Sequence, residues 1–152
     1  MSEFTDIMDR LVAIEKEAYS GSDAVDHGIH FQEAFPYWIN LLGPATYAWD
    51  SEDIAIVTRD IQIRLIVAHL TEGYDGDAEE KLFANLDEIL LFFLTHEDLT
   101  STAYPTAPVY LYSTDTELRA DTGLTIWRLA DNAPSQIGIE FTLTIAYRVD
   151  TP

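Results

Sequence analysis

The hydrophobic residues near the start of the chain recur every three or four positions, with polar or charged residues between them. This spacing places them on one side of a helix. The sequence therefore predicts an amphipathic helix over residues 2–19 that ends at Ser20 and Gly21. Its apolar side consists of Phe4, Ile7, Met8, Leu11, Ile14 and Ala18.

Residues 21–53 show no comparable period, and they contain Pro36 and Pro44 among polar turns and aromatic residues. We interpret this segment as a long connection with one short strand around residues 29–31. Residues 54–70 then alternate between apolar and polar side chains, which predicts a long strand or a bent hairpin arm.

A second helix is predicted from residue 77, where Asp77 and Glu80 have the spacing of a capping box. Its apolar stripe comprises Leu82, Leu86, Ile89, Leu90, Phe93 and Leu94. Strands are predicted near residues 109–112, 124–129 and 137–149, with a turn at residues 131–134 joining the last two as a hairpin. The order of elements predicts an α+β fold: an antiparallel or mixed β-sheet of about four strands with two main helices packed on one face.

Length and composition favour one globular domain spanning residues 1–152. The chain is 47% hydrophobic and 12% aromatic, values that an acidic disordered chain would not reach. It contains no cysteine, which excludes disulfides, thiolate metal sites and cysteine nucleophiles. The N-terminal residues lack the pattern of a secretory signal, and the longest apolar run, residues 89–94, is too short to cross a bilayer. We therefore expect a soluble, intracellular protein without a membrane partner.

The net charge of −19 results from 27 acidic and 8 basic residues. The acidic residues are spread along the chain, with 14 up to Asp75 and 13 after it. Such a surface repels phosphates, so sequence-specific binding of nucleic acid is not expected. Solubility or adaptation to a salty host would explain the charge as well as a specific electrostatic role would.

No motif for chemistry emerges, and the sequence predicts no catalytic residue, cofactor or metal site. The glycines are scattered, and Gly21-Ser22 lacks the second glycine of a hydrolase elbow. His27 and His30, near Asp23 and Asp26, have a spacing that would suit a metal on a helix, but Gly28 disfavours a helix there. Paired carboxylates, Glu79 with Glu80 and Asp87 with Glu88, fit a solvated helix surface.

Aromatic side chains gather in the long connection. Phe35-Pro36-Tyr37-Trp38 is followed by Tyr47 and Trp49, and these residues either anchor an interface or cap the core. Arg59 and Arg64, rare cations here, either bind local carboxylates or form pairs between subunits. The candidate subunit-interface residues are Tyr37, Trp38, Trp49, Arg59 and Arg64.

The layout resembles the tail terminator proteins of tailed bacteriophages, the minor tail protein U type that joins tail to head. The similar features are the N-terminal helix, the Pro36-Tyr37-Trp38-Ile39 loop, the strand with Arg59-Asp60-Ile61-Gln62-Ile63-Arg64, the leucine-rich helix over 82–94 and a last strand over 139–147.

This resemblance implies a structural virion protein without enzymatic activity, assembled in the host cytoplasm into a six-membered ring of the tail or neck. The ring would cap the tail tube protein and dock on the head-tail connector or another neck protein. Viral DNA would pass through the ring, repelled by its acidic wall. Two other hypotheses remain open: an acidic adaptor or inhibitor that occupies a basic protein, and a small metal-dependent enzyme or ligand-binding domain around His27, His30 and Tyr74.

Overall fold

The computed structural model describes residues 2–19, 23–25, 36–70, 76–117, 125–127 and 135–150. Within these residues, two helices accompany a six-stranded sheet. In chain order the elements are α1 (Glu3–Ala18), β1 (Asp23–Val25), β2 (Tyr37–Trp49), β3 (Ile54–Leu70), α2 (Asp77–Thr95), β4 (Leu111–Glu117), β5 (Thr125–Trp127) and β6 (Ser135–Asp150).

The sheet is built on two long neighbouring strands, β3 and β6, which pair antiparallel along their whole length. Strand β2 pairs antiparallel with the other side of β3, and the short β1 lies parallel to the start of β2. Strands β4 and β5 both pair with the free side of β6, at different heights. The four main strands and two helices confirm the predicted α+β fold with a mixed sheet.

Helix α1 forms where the three-and-four spacing predicts it. Ser2 is its N-cap, and the Ser2 hydroxyl accepts a hydrogen bond of 3.1 Å from the Thr5 N–H, which satisfies one of the free donors at the helix start. Its buried apolar residues are Ile7, Met8, Leu11 and Ile14.

Helix α2 also forms, but its predicted capping box is wrong. Gly76 is the N-cap, with φ at 85°, and Asp77 is the first helical residue. A left-handed backbone is easy for glycine, so the chain enters the helix one residue earlier than a capping aspartate would require. Leu82, Ile89 and Phe93 are buried as expected.

Both helices pack on one face of the sheet, as predicted. The odd-numbered residues of β3 and β6 alternate toward them and form the main core with the apolar sides of α1 and α2. A smaller cluster of Tyr37, Ile39 and Ile66 is buried on the opposite face.

Strand β2 contradicts our interpretation of residues 21–53 as a long connection. Residues 37–49 form a strand, but its register shifts between Leu42 and Ala45, where Gly43-Pro44 forms a bulge. Residues 37–40 are buried on both faces and the residues after the bulge are mostly exposed, so no single alternation runs through the strand. The predicted short strand at 29–31 lies outside the described residues.

The β4, β5 and β6 predictions are largely confirmed. Strand β4 starts at Leu111, two residues later than predicted, because Val109 and Tyr110 form a turn in which the Leu111 N–H donates to the Pro108 carbonyl. Strands β5 and β6 pair antiparallel as the predicted hairpin requires. The predicted turn at 131–134 lies outside the described residues.

A polar cluster fastens the segment after α2 to helix α1. The Arg10 guanidinium donates to Asp6 at 2.9 Å and to the carbonyl oxygens of Leu99 and Thr106 at 3.2 and 2.7 Å. The Tyr110 hydroxyl donates a short hydrogen bond to the same Asp6 carboxylate. Burial alone would raise the pKa of Asp6, but the hydrogen bonds from Tyr110 and Arg10 and the charge of Arg10 outweigh it and lower this pKa below 3.8.

We expect Asp6→Asn to lower the free energy of unfolding by about 1–2 kcal/mol at neutral pH, because it removes two charge-assisted hydrogen bonds. An aspartate with a lowered folded-state pKa stabilises the fold above its unfolded value of 3.8 and loses this effect as the pH falls through the folded value. The difference between wild type and variant in urea unfolding should therefore shrink toward zero below pH 3.8. An unchanged difference at acid pH would show that the Asp6 charge is not the cause.

Candidate subunit-interaction surface

Among the described residues, strand β2 has a second pairing strand at its start alone. Its first residues, Tyr37 to Ile39, pair with β1 on one side and β3 on the other. From Leu41 to Trp49, the part of the chain that the structure describes supplies strand pairing only from β3. An open edge exposes backbone N–H and C=O groups that can pair with another chain.

Three large apolar side chains of this edge are exposed. Leu42, Tyr47 and Trp49 are 61%, 67% and 71% exposed, respectively. Each lies directly opposite a residue of β3 on the helix-bearing face. We call these three side chains, with the backbone of residues 41–49, the β2 edge surface. Leu42 was missed in the sequence because no alternation marked its segment as a strand.

Arg59 holds Tyr47 in place. Its guanidinium donates to the Tyr47 hydroxyl at 2.7 Å and lies 5.0 Å from the centre of the Phe4 ring, in a cation–π contact. Burial would lower the pKa of Arg59, but its interactions with Tyr147 and Tyr47 outweigh burial and raise this pKa. Arg59 thus links Tyr47 of the β2 edge surface to Phe4 of α1.

Tyr37 and Trp38, which were predicted as interface residues, lie in the interior instead. Both side chains are fully buried in the isolated chain. The Tyr37 hydroxyl accepts a 2.5 Å hydrogen bond from the Gln136 amide on one face of the sheet, whereas Trp38 packs against Phe93 on the other. Because alternate residues of β2 point to opposite faces, the two adjacent aromatic residues enter different clusters. Neither is available to a partner in this conformation.

Arg64 has a partner within the chain. It donates to Glu140 at 2.5 Å, directly across the β3–β6 pair on the face away from the helices. Of the two alternatives for Arg64, the structure therefore shows the pair with a carboxylate of the same chain. Of the five predicted interface residues, Trp49 is largely exposed, and Arg59 is half-buried beside Tyr47.

The turn after the β2 edge surface is acidic. Asp50, Glu52 and Asp53 are exposed between β2 and β3. The Tyr112 hydroxyl reaches to 3.5 Å from the Asp50 carboxylate, so the exposed Tyr112 lies at the same end of the sheet as Trp49. Copies that approach this end meet like charges, which salt would screen.

The other candidates for chemistry stay separate from this surface. His27, His30, Asp26 and Tyr74 lie outside the described residues. Among the residues that are described, no group of three histidine or acidic side chains could hold a metal. Glu80, Asp87 and Glu88 are exposed on α2 and Glu79 is half-exposed, as expected of a solvated helix surface.

Comparison of the sequence with models of protein families and with curated proteins finds no match. Neither of the helices described here is long and apolar enough to cross a membrane.

Proposed function

We propose that this protein is a structural subunit that assembles into a closed ring through its β2 edge surface, as a tail terminator or neck protein of a tailed bacteriophage. The observation that carries the proposal is the open β2 edge with Leu42, Tyr47 and Trp49 exposed along it. An edge of this length, with exposed apolar side chains and no second pairing strand among the described residues, is a site for association.

The topology permits a ring. The described part of the sheet has a second border at β4, which pairs with β6 on one side. A contact between β2 of one copy and a different border of the next copy is heterologous, and heterologous contacts close into rings when the rotation permits. The resemblance to tail terminators implies six subunits.

The negative charge of the chain would affect both the passage of DNA and the assembly of the ring. With a net charge of −19 per subunit, a ring carries a strongly negative surface, along which DNA would pass without adhering. The same charge opposes assembly at low salt. The partners would be the tail tube protein on one side of the ring and the head-tail connector or a neck protein on the other. The protein would act in the virion, without catalysis.

We expect the mass in solution to rise from 17.2 kDa toward about six times that value when the salt concentration is raised from about 0.05 to about 1 M. Light scattering coupled to gel filtration measures this change. Leu42→Lys should keep the protein monomeric at both concentrations, because an edge lysine opposes strand pairing and charges an apolar contact.

Leu91→Lys is the matched control, since Leu91 is an exposed leucine on α2 of nearly the same exposure as Leu42. It adds the same charge and should leave the assembly intact. A wild-type monomer at every salt and protein concentration would contradict self-assembly. Assembly of Leu42→Lys at the wild-type level would contradict the role of the β2 edge surface.

A further inference from the structure

Helix α2 exposes a second set of apolar side chains, on a different element from the β2 edge surface. Phe83, Leu91 and Leu94 are 55%, 56% and 39% exposed, although the opposite side of the same helix fills the core. With Glu80 and Asp87 they follow one another at intervals of three or four residues, which places all five in one stripe along the helix. We call these five residues the α2 outer stripe.

The charged residues of α2 are mostly acidic. The helix carries five acidic residues, Asp77, Glu79, Glu80, Asp87 and Glu88, and one basic residue, Lys81. Glu80 and Asp87 are both exposed and lie within the α2 outer stripe, between or beside its apolar members. The stripe therefore combines apolar anchors with negative charge.

We propose that the α2 outer stripe is a docking surface for a protein segment that carries lysine or arginine around apolar side chains. Two copies of this chain meeting through the stripe would bring Glu80 and Asp87 of one against those of the other, and every copy carries a net charge of −19. A cationic partner gains from the same charges. Apolar anchors at helical spacing are the means by which a helix engages such a segment. The proposal does not depend on ring assembly.

The test uses a fluorescent synthetic peptide of about 18 residues, made of leucine and lysine so that one side of its helix is apolar and the other cationic. Fluorescence anisotropy at low salt measures its affinity for the full chain. A control peptide has the same lysines, with serine in place of leucine. We expect the control to bind at least about tenfold more weakly, because it can satisfy the charge but not the apolar anchors.

Leu91→Lys should weaken binding of the leucine-lysine peptide by at least about tenfold, whereas Leu42→Lys, with the same added charge, should bind it like wild type. Amide shifts of the labelled protein on peptide addition should fall on α2. Circular dichroism checks the fold of each variant, and Phe83→Ser replaces Leu91→Lys if the latter does not fold.

Equal binding of both peptides would show that charge alone accounts for the interaction, and it would overturn the proposal. Wild-type affinity in Leu91→Lys or Phe83→Ser, or amide shifts away from α2, would overturn it as well. A loss of self-association in Leu91→Lys would assign the α2 outer stripe to a second copy of the chain.

Discussion

Trp38→Ala should lower the free energy of unfolding by about 3–5 kcal/mol, the range for removing a buried tryptophan. The Trp38 ring centre lies 5.6 Å from that of Phe93 in α2 and 6.5 Å from that of Phe141 in β6, and the latter two lie 4.9 Å apart. The substitution leaves a cavity where strand β2, helix α2 and strand β6 meet. Since small domains are stable by about 5–15 kcal/mol, this loss is a large part of the total.

Trp49→Ala is the matched control, because this tryptophan lies on the same strand and face but is exposed. It should change the free energy of unfolding by less than about 0.5 kcal/mol. Urea unfolding followed by far-ultraviolet circular dichroism compares the two variants without relying on tryptophan fluorescence. Equal effects of the two substitutions would contradict the placement of Trp38 in the core and of Trp49 at the surface.

Gly138→Ala should destabilise the protein by more than about 3 kcal/mol, although it adds a single methyl group. A Cβ atom at Gly138 would lie 1.9 Å from the carbonyl oxygen of Leu65 and 2.9 Å from the carbonyl carbon of the same residue. These are backbone atoms of the adjacent strand β3, so no side-chain rotation can relieve the clash. Strands β3 and β6, which pair along their whole length, would have to separate locally. Thermal and urea unfolding measure the effect.

Gly43→Ala provides the comparison. Its Cβ would lie 2.7 Å from the Asp60 carbonyl oxygen, also on β3. However, Gly43 is in the bulge of β2, which the described residues pair on one side alone, so the strand can move outward. We expect a cost of about 1–3 kcal/mol, smaller than at Gly138. A Gly138→Ala variant as stable as wild type would contradict this close approach of β3 and β6.

The long regular elements could be predicted because one period runs through each. Large apolar side chains occupy every second position of β6 from Ile137 to Val149, and all of them pack in or against the main core. Helix α1 repeats its apolar side without interruption. Strand β2 could not be predicted, because its residues before the Gly43-Pro44 bulge are buried on both faces and those after it lie at the open edge. Burial in β2 is set by the neighbouring elements, and the local sequence carries no information about them. The strand therefore shows no alternation of apolar and polar residues.

The interface candidates divide for the same reason. Trp38 and Trp49 were equivalent as aromatic residues in a segment without a period, and only the tertiary structure separates them. Trp38 packs against Phe93 of α2, whereas Trp49 is exposed at the end of the β2–β3 hairpin. Arg64 likewise has a carboxylate partner because Glu140, distant in the chain, is its cross-strand neighbour.

The sequence by itself determined the properties that depend on composition and on local period: the charge of −19, the absence of cysteine, helices α1 and α2, and strands β3 and β6. Tertiary structure decided which polar and aromatic side chains are covered. Glu15, a charged residue on an amphipathic helix, is fully buried and accepts a 2.7 Å hydrogen bond from the buried Asn40 of β2. A period indicates which way a side chain points, but the element packed above it determines whether water reaches it.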